Sequence, residues 1–278
     1  MIHLGEYNTL YILRDTEPGL FLGDDEAGTN EVLLPNRYVP ETFEIGDKIE
    51  VFVYLDNEER PVAITDKPYI TKGDFALLRC NEVSKHGAFL DWGLVKELFC
   101  PFKEQAFKMK KGGWYLVHCY LDEETDRLVA SSKTMRFLDN TTLEVAQFDK
   151  VDLIVSHPSD IGMNVIVNKK HHGLIYKDEI YKDISVGDKL EGIVKKVRHD
   201  NKLDISLSQI GYRNIEPNAQ LILDALKDNS GFIPLHDKSS PEAIKEELQM
   251  SKKSFKKAIG SLYKDKQITI KDDGIHLN

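Results

Sequence analysis

The sequence predicts a mainly β chain with a C-terminal α/β part: three small Greek-key barrels of the OB type followed by a winged helix. Three observations lead there. The first is a repeat. A glycine corner, a long alternating strand, a polar hairpin and a short closing strand follow one another three times. The corner glycines are Gly46, Gly112 and Gly187, 66 and 75 positions apart. A recurrence of this length is settled before any local assignment, because each copy must obey the same rules. The second is that each copy holds five short strand-like runs, with the longer connection between the third and the fourth. The third is a change of period after Gly211, where the apolar spacing becomes helical.

In the first repeat, residues 1–67, Tyr7-Asn-Thr-Leu-Tyr-Ile-Leu alternates apolar and polar residues. Leu20-Phe-Leu and Glu31-Val-Leu-Leu-Pro follow as strands, and Ile49, Val51, Val53 and Leu55 share one face of the fourth. The second repeat, 68–134, offers strands at Phe75-Ala-Leu-Leu-Arg-Cys, His86-Gly-Ala-Phe-Leu, Glu97-Leu-Phe-Cys-Pro and Trp114 to Leu121. Residues 135–149 read as a polar linker long enough to let the third repeat, 150–211, move. In residues 212–278, Leu221, Ile222, Ala225 and Leu226 form a helical stripe. Ser240-Pro-Glu starts a second helix with a serine N-cap and proline at its first position. Ser251 caps a third helix in which Phe255, Ala258, Ile259 and Leu262 follow helical spacing. Ile268-Thr-Ile, Asp272-Asp-Gly and Ile275-His-Leu make a terminal hairpin. Three helices and a hairpin in this order predict a winged helix, with the helix from Ser251 in the recognition position.

The 278 residues are 41% hydrophobic and 30% charged, enough for several packed cores under a soluble surface. No run approaches the roughly 18 apolar residues of a membrane helix. Met1-Ile-His-Leu-Gly-Glu has neither a basic region nor a cleavage pattern, so no export signal is expected. Cys80, Cys100 and Cys119 lie in apolar runs without a Cys-x-x-Cys spacing, which predicts buried reduced thiols and a cytoplasmic protein. The net charge of −9 is unevenly placed: residues 1–67 hold 5 Lys and Arg against 15 Asp and Glu, and the remainder is close to neutral. Phosphate affinity follows local basic patches rather than the total, so the acidic first repeat is expected to grip a phosphate backbone least.

The third repeat resembles the S1 RNA-binding domain through Gly173-Leu-Ile-Tyr, Val186-Gly-Asp-Lys-Leu and Ile205-Ser-Leu-Ser. The second shares Gly87-Ala-Phe-Leu, and the first shares Gly19-Leu-Phe-Leu, Ile45-Gly-Asp-Lys-Ile and the Asp56 to Arg60 hairpin. Three such repeats before a winged helix resemble the conserved virulence factor B family of bacterial RNA-binding regulators. That resemblance implies single-stranded RNA, held by aromatic residues on the second and third strands beside basic and hairpin residues. Unpaired bases stack on exposed rings while Lys and Arg track the backbone. Carried over residue by residue, the second-strand positions are Pro18, His86 and Ile161, then Phe21, Phe89 and Asn164. The third-strand position holds Pro35, Pro101 and Tyr176. No repeat has the full aromatic set.

The expected RNA contacts are therefore Phe21, His86, Phe89 and Arg127, with Tyr176 beside the loop of Lys169, Lys170 and His171. Lys195, Lys196 and Arg198 follow along a strand, and Lys202 stands in for the arginine that Asp204 displaces. Lys195 and Lys196 are neighbours, so one of them at most should face a groove. Phe21 and Phe89 fit a core as well as a stacking platform. On the third helix Lys253, Lys256 and Lys257 form a basic face suited to phosphates, but it lacks the side chains that read base edges. The scattered histidines, the lack of a phosphate-binding glycine loop and the lack of a serine elbow predict no enzyme and no cofactor. Asp24-Asp-Glu and Glu123-Glu124 read as loop and hairpin charge rather than metal ligands. RNA is expected mainly on the second and third repeats. DNA or a protein is a further partner for the winged helix; the oligomeric state stays open. The alternative is a protein-docking adaptor of the translation or RNA-decay machinery.

Overall fold

A short sheet with one apolar face can bury it by curling into a closed barrel, and each repeat does so. The structure is a computed structural model describing residues 1–180, 183–207 and 217–278. Barrel one contains β1 (Tyr7–Thr16), β2 (Gly19–Gly23), β3 (Glu31–Pro35), β4 (Lys48–Leu55) and β5 (Pro61–Ile64). Barrel two contains β6 (Phe75–Val83), β7 (Gly87–Asp91), β8 (Leu98–Pro101), β9 (Trp114–Asp122) and β10 (Arg127–Ser131). Barrel three contains β11 (Lys150–Ser159), β12 (Gly162–Val167), β13 (His171–Tyr176), β14 (Lys189–Val197) and β15 (Leu203–Ser206). All three close in the same order, first-second-third-fifth-fourth, with the third and fifth strands parallel.

Closure depends on a bend in the first strand. Register shifts at Ile12/Arg14, Cys80/Glu82 and Val155/His157 let each first strand pair with the fourth strand at its start and the second strand at its end. A bulge supplies that bend by adding one unpaired residue. The corner glycines Gly46, Gly112 and Gly187 have φ of +96°, +82° and +92°, where a side chain is strained. A second glycine set has a packing reason. A Cβ at Gly19, Gly87 or Gly162 would lie 2.1, 2.4 or 2.0 Å from the carbonyl oxygen of Leu34, Cys100 or Ile175 on the third strand.

Barrels one and two share one apolar cluster. The alternation in β4 predicts one buried face, but Val51, Phe52, Val53 and Tyr54 are all buried. The second face is covered because the Phe52 and Tyr54 rings meet Trp92 of barrel two at 5.9 and 6.0 Å. Barrel three has its own core around Val155, Val165 and Ile205. Phe75 and Leu116 meet Ile154 and Ile166 in the joint between barrels two and three. There the His118 ring lies 4.5 Å from Phe75 and 4.0 Å from Phe137, and burial pushes its pKa down to about 4. The cysteines are free and buried, and burial raises the Cys100 and Cys119 thiols to about 12.

Residues 135–149 are not a loose linker. Asn140 donates to the carbonyls of His172 and Asn201 at 2.9 and 2.8 Å, and the Phe148 amide donates to Val194 at 2.7 Å. Leu143 and Val145 pack on the barrel-three core. The polar composition that suggested mobility instead satisfies backbone groups of the barrel.

The remaining unit has α1 (Pro217–Asp228), β16 (Phe232–Ile233), α2 (Pro241–Leu248), α3 (Lys252–Lys264), β17 (Ile268–Lys271) and β18 (Gly274–Leu277). Its sheet runs β16-β18-β17. Ser240 accepts from the Ala243 amide at 3.2 Å and Ser251 from Ser254 at 3.1 Å, the two expected caps. Phe255, Ala258, Ile259 and Leu262 are buried. Strand β16, two residues long, is too short for periodicity to reveal. The expected boundary at 211/212 lies outside the described residues. Among the described residues no helix is long and apolar enough to cross a membrane.

Candidate nucleic-acid interface

The shared topology sets the second, third and fifth strands of each barrel side by side, so three residues line up across them. The row is Phe21-Leu33-Val62 in barrel one, Phe89-Phe99-Val129 in barrel two and Asn164-Leu174-Asp204 in barrel three. Only barrel two has two rings in its row. Phe89 and Phe99 are half-buried, with centroids 5.2 Å apart and planes tilted by 43°. Ala88, Leu90, Leu98 and Cys100 on either side are buried, so the rings point away from the core.

These rings line a groove of about 800 Å³. His86 and Arg127 stand in it on the barrel-two side, while Tyr54, Asn57 and Glu59 contribute from barrel one. Arg127 forms an ion pair with Glu59. Lys96 donates to the Asp56 carbonyl at 2.6 Å, and burial lowers its pKa. The structure therefore brings together three predicted residues, His86, Phe89 and Arg127. It adds three that sequence reasoning missed, namely Phe99, Lys96 and Glu59. Phe99 was legible as the residue facing outward between buried Leu98 and Cys100, but the family pattern directs attention two positions on, to Pro101. Glu59 had no local signal, since it comes from another repeat.

Barrel three presents a different face. Asn164 donates to the His157 carbonyl at 3.2 Å, and its Oδ1 lies 2.8 Å from His172 Nε2. Burial lowers the pKa of His172. Asp204 accepts from Arg198 Nε at 2.9 Å and lies 3.5 Å from the Tyr176 hydroxyl. The guanidinium carbon of Arg198 is 5.8 Å from the Tyr176 ring centroid. Tyr176 and Arg198 thus do meet, within a network whose polar groups already bond one another.

His171 is the clear correction. Expected on a basic loop, it is buried, with Nδ1 2.5 Å from the Asp139 carbonyl and Nε2 accepting from the Glu144 amide at 3.2 Å. The strap 135–149 covers it, which the sequence pattern did not disclose. Lys169 pairs with Asp74 of barrel two and Lys170 with Glu144 of the strap at 2.5 Å. Lys195 pairs with Glu179, and Lys202 with Asp200 at 2.7 Å. A register shift between Val194 and Lys196 leaves both Lys195 and Lys196 exposed, so strict alternation fails there. Phe21 lies apart from the groove, under the Arg14 guanidinium at 4.2 Å, and Arg14 is held by Glu31. Lys253, Lys256 and Lys257 are exposed on α3. Among the described residues no group of three or more His, Cys, Asp or Glu is placed to hold a metal ion.

Comparison with known proteins agrees with this architecture. The S1 domain family model matches residues 4–66 and the CvfB-like winged helix domain model matches residues 220–277. A conserved virulence factor B from Staphylococcus epidermidis is 29% identical over 245 residues, covering 84% of this chain and 81% of that protein. Its Staphylococcus aureus counterpart is 28% identical over 248 residues, covering 84% and 80%. A crystal structure of a multidomain protein with nucleic acid binding domains from Streptococcus pneumoniae is 27% identical. It aligns over 99% of this chain and 98% of that one with a TM-score of 0.46. The fold defines a protein of S1-like OB barrels with a winged helix. Over most of its length the chain is similar to these conserved virulence factor B proteins, and it carries an S1 domain and a CvfB-like winged helix domain.

Proposed function

We propose that this protein binds single-stranded RNA without a catalytic step, with the main base contacts on barrel two and secondary contacts on barrel three. One observation carries the reading: the row Phe89-Phe99-Val129, flanked by His86 and Arg127, lines an open groove. Stacking on such rings is worth about 1–3 kcal/mol per base and needs an unpaired base, because a duplex hides its ring faces. The S1 domain match and the similarity to conserved virulence factor B proteins support RNA as ligand and regulation of gene expression as output. The lysines of α3 are proposed to add sequence-independent phosphate contacts to RNA or DNA.

The test is fluorescence anisotropy of labelled single-stranded RNA with the whole chain, at low and moderate salt, beside duplex RNA and DNA. Preference for the single strand, lost in Phe99→Ala, supports the reading. Equal binding by Phe89→Ala, Phe99→Ala and the parent protein sinks it. A second reading has one observation in its favour: Arg127, Lys169, Lys170, Lys195, Arg198 and Lys202 all have carboxylate partners within the chain. If the whole chain binds no RNA at low salt, the barrels are protein-docking modules.

A further inference from the structure

We propose that the acidic first barrel is a built-in competitor for the RNA backbone, its β4–β5 hairpin holding the Glu59 carboxylate where a phosphate would sit on Arg127. This rests on barrel two being the RNA site and names how that site is regulated.

Three observations meet here. The excess negative charge of the chain is concentrated in residues 1–67, an unexpected place for it in a protein whose S1-like repeats point to RNA. The hairpin that carries Glu59 leans on the groove through two polar contacts, the Glu59–Arg127 ion pair and the Asp56 carbonyl bonded to Lys96 at 2.6 Å. Both cations of the groove are thus engaged by barrel one. The approach is also built into the packing. Gly5 of barrel one has φ of +77°, and a Cβ there would lie 2.5 Å from the Leu128 side chain, next to Arg127. Trp92, which lines the groove, is wedged against Phe52 and Tyr54 of β4.

The competition is local. The shared core holds barrel one against barrel two, so the hairpin has no need to swing away. Glu59 and Arg127 are both about half exposed, at 53% and 52%, and rotation of the Glu59 side chain is enough to hand the guanidinium to a phosphate. A carboxylate and a phosphate offer the same acceptor geometry to an arginine fork. An exposed pair of this kind contributes little, so the restraint is modest: about two- to fivefold in affinity.

The exchange also predicts a salt signature. A phosphate bound by an uncommitted arginine releases counterions, with a slope near −0.7 per contact for single strands. When the arginine leaves Glu59, the freed carboxylate takes up a cation, and that contact's share of the salt dependence is largely cancelled.

The experiment measures binding of a fluorescein-labelled single-stranded RNA of about 12 nucleotides to the full chain over a salt series. The variants are Glu59→Gln, Glu58→Gln, Arg127→Ala and the Glu59→Gln/Arg127→Ala pair. Glu58 pairs with Arg60 at 2.9 Å and serves as the charge control. The expected result is a two- to fivefold gain for Glu59→Gln, a salt slope steeper by up to about 0.7, no gain for Glu58→Gln, and loss of the gain in the Arg127→Ala background. If Arg127→Ala leaves binding unchanged, Arg127 holds no phosphate and the competitor is overturned, while Phe89→Ala and Phe99→Ala in the same assay decide whether the groove is the RNA site. If Arg127→Ala weakens binding but Glu59→Gln does not tighten it, the competitor is overturned while the site survives. An equal gain in Glu58→Gln, or a gain that persists without Arg127, also overturns it by reducing the effect to bulk charge.

Discussion

Barrels two and three share strand order, a first-strand bulge, a corner glycine and a close-approach glycine, yet they present opposite outer faces. At matching positions barrel two has Phe89, Phe99 and Val129, and barrel three has Asn164, Leu174 and Asp204. The first row exposes ring faces with no polar demand of their own. The second is knitted by Asn164 to His157 and His172, and by Asp204 to Arg198. The barrel determines where three side chains will stand in line. Their chemistry determines whether that line is a platform for a base or a closed hydrogen-bonded surface. An unpaired base would gain a stacking contact on the first, but would have to replace existing bonds on the second, where a lost hydrogen bond costs about as much as a new one contributes.

The sharpest way to break this contrast is to remove a ring. Phe99→Ala, and separately Phe89→Ala, should weaken single-stranded RNA binding by roughly 5- to 150-fold, the equivalent of about 1–3 kcal/mol per base. Anisotropy measures the loss, and circular dichroism confirms that the barrel remains folded. Tyr176→Ala in the same assay should cost less than about threefold; a larger loss would make barrel three the main platform.

The joint between the two barrels should respond to acid. Burial lowers the His118 pKa to about 4, against 6.5 for the unperturbed group. The unfolded chain therefore takes up this proton first as pH falls. The stability that the neutral ring contributes is present above pH 6.5 and drains away as pH falls toward the folded value near 4. The loss is about 3 kcal/mol, read as the urea midpoint at successive pH values. His118→Leu should flatten that part of the profile, and an unchanged slope would place the acid sensitivity elsewhere. The smallest effect expected is at Asp204. Asp204→Asn releases Arg198 from a carboxylate and should tighten RNA by about twofold, the opposite sign to the ring deletions. No change would mean that Arg198 stands outside the RNA path.

Much of the fold was legible because it depends on local requirements. Gly46, Gly112 and Gly187 had to be glycines to turn a corner in the left-handed region, and so they marked the repeats. Ser240 and Ser251 announced helix starts that the structure shows as caps. The candidate groove was legible where one repeat supplied it, and His86, Phe89 and Arg127 do line it together. It was illegible where neighbours intervened. Phe99 lay off the family's expected position, and the exposed-looking His171 was covered by the strap. Lys169 was turned toward Asp74 of barrel two, a pairing that sequence distance conceals.

By itself the sequence determined three barrels and a winged helix, because period, corner glycines and caps act over a few residues and survive any packing. Only the tertiary structure decided how the barrels meet. It buried both faces of β4 against Trp92, bound residues 135–149 to barrel three, and set Glu59 of the acidic repeat on Arg127 of the next. These outcomes depend on surfaces brought together from distant positions, where burial and charge pairing act through space and leave no period in the chain to read.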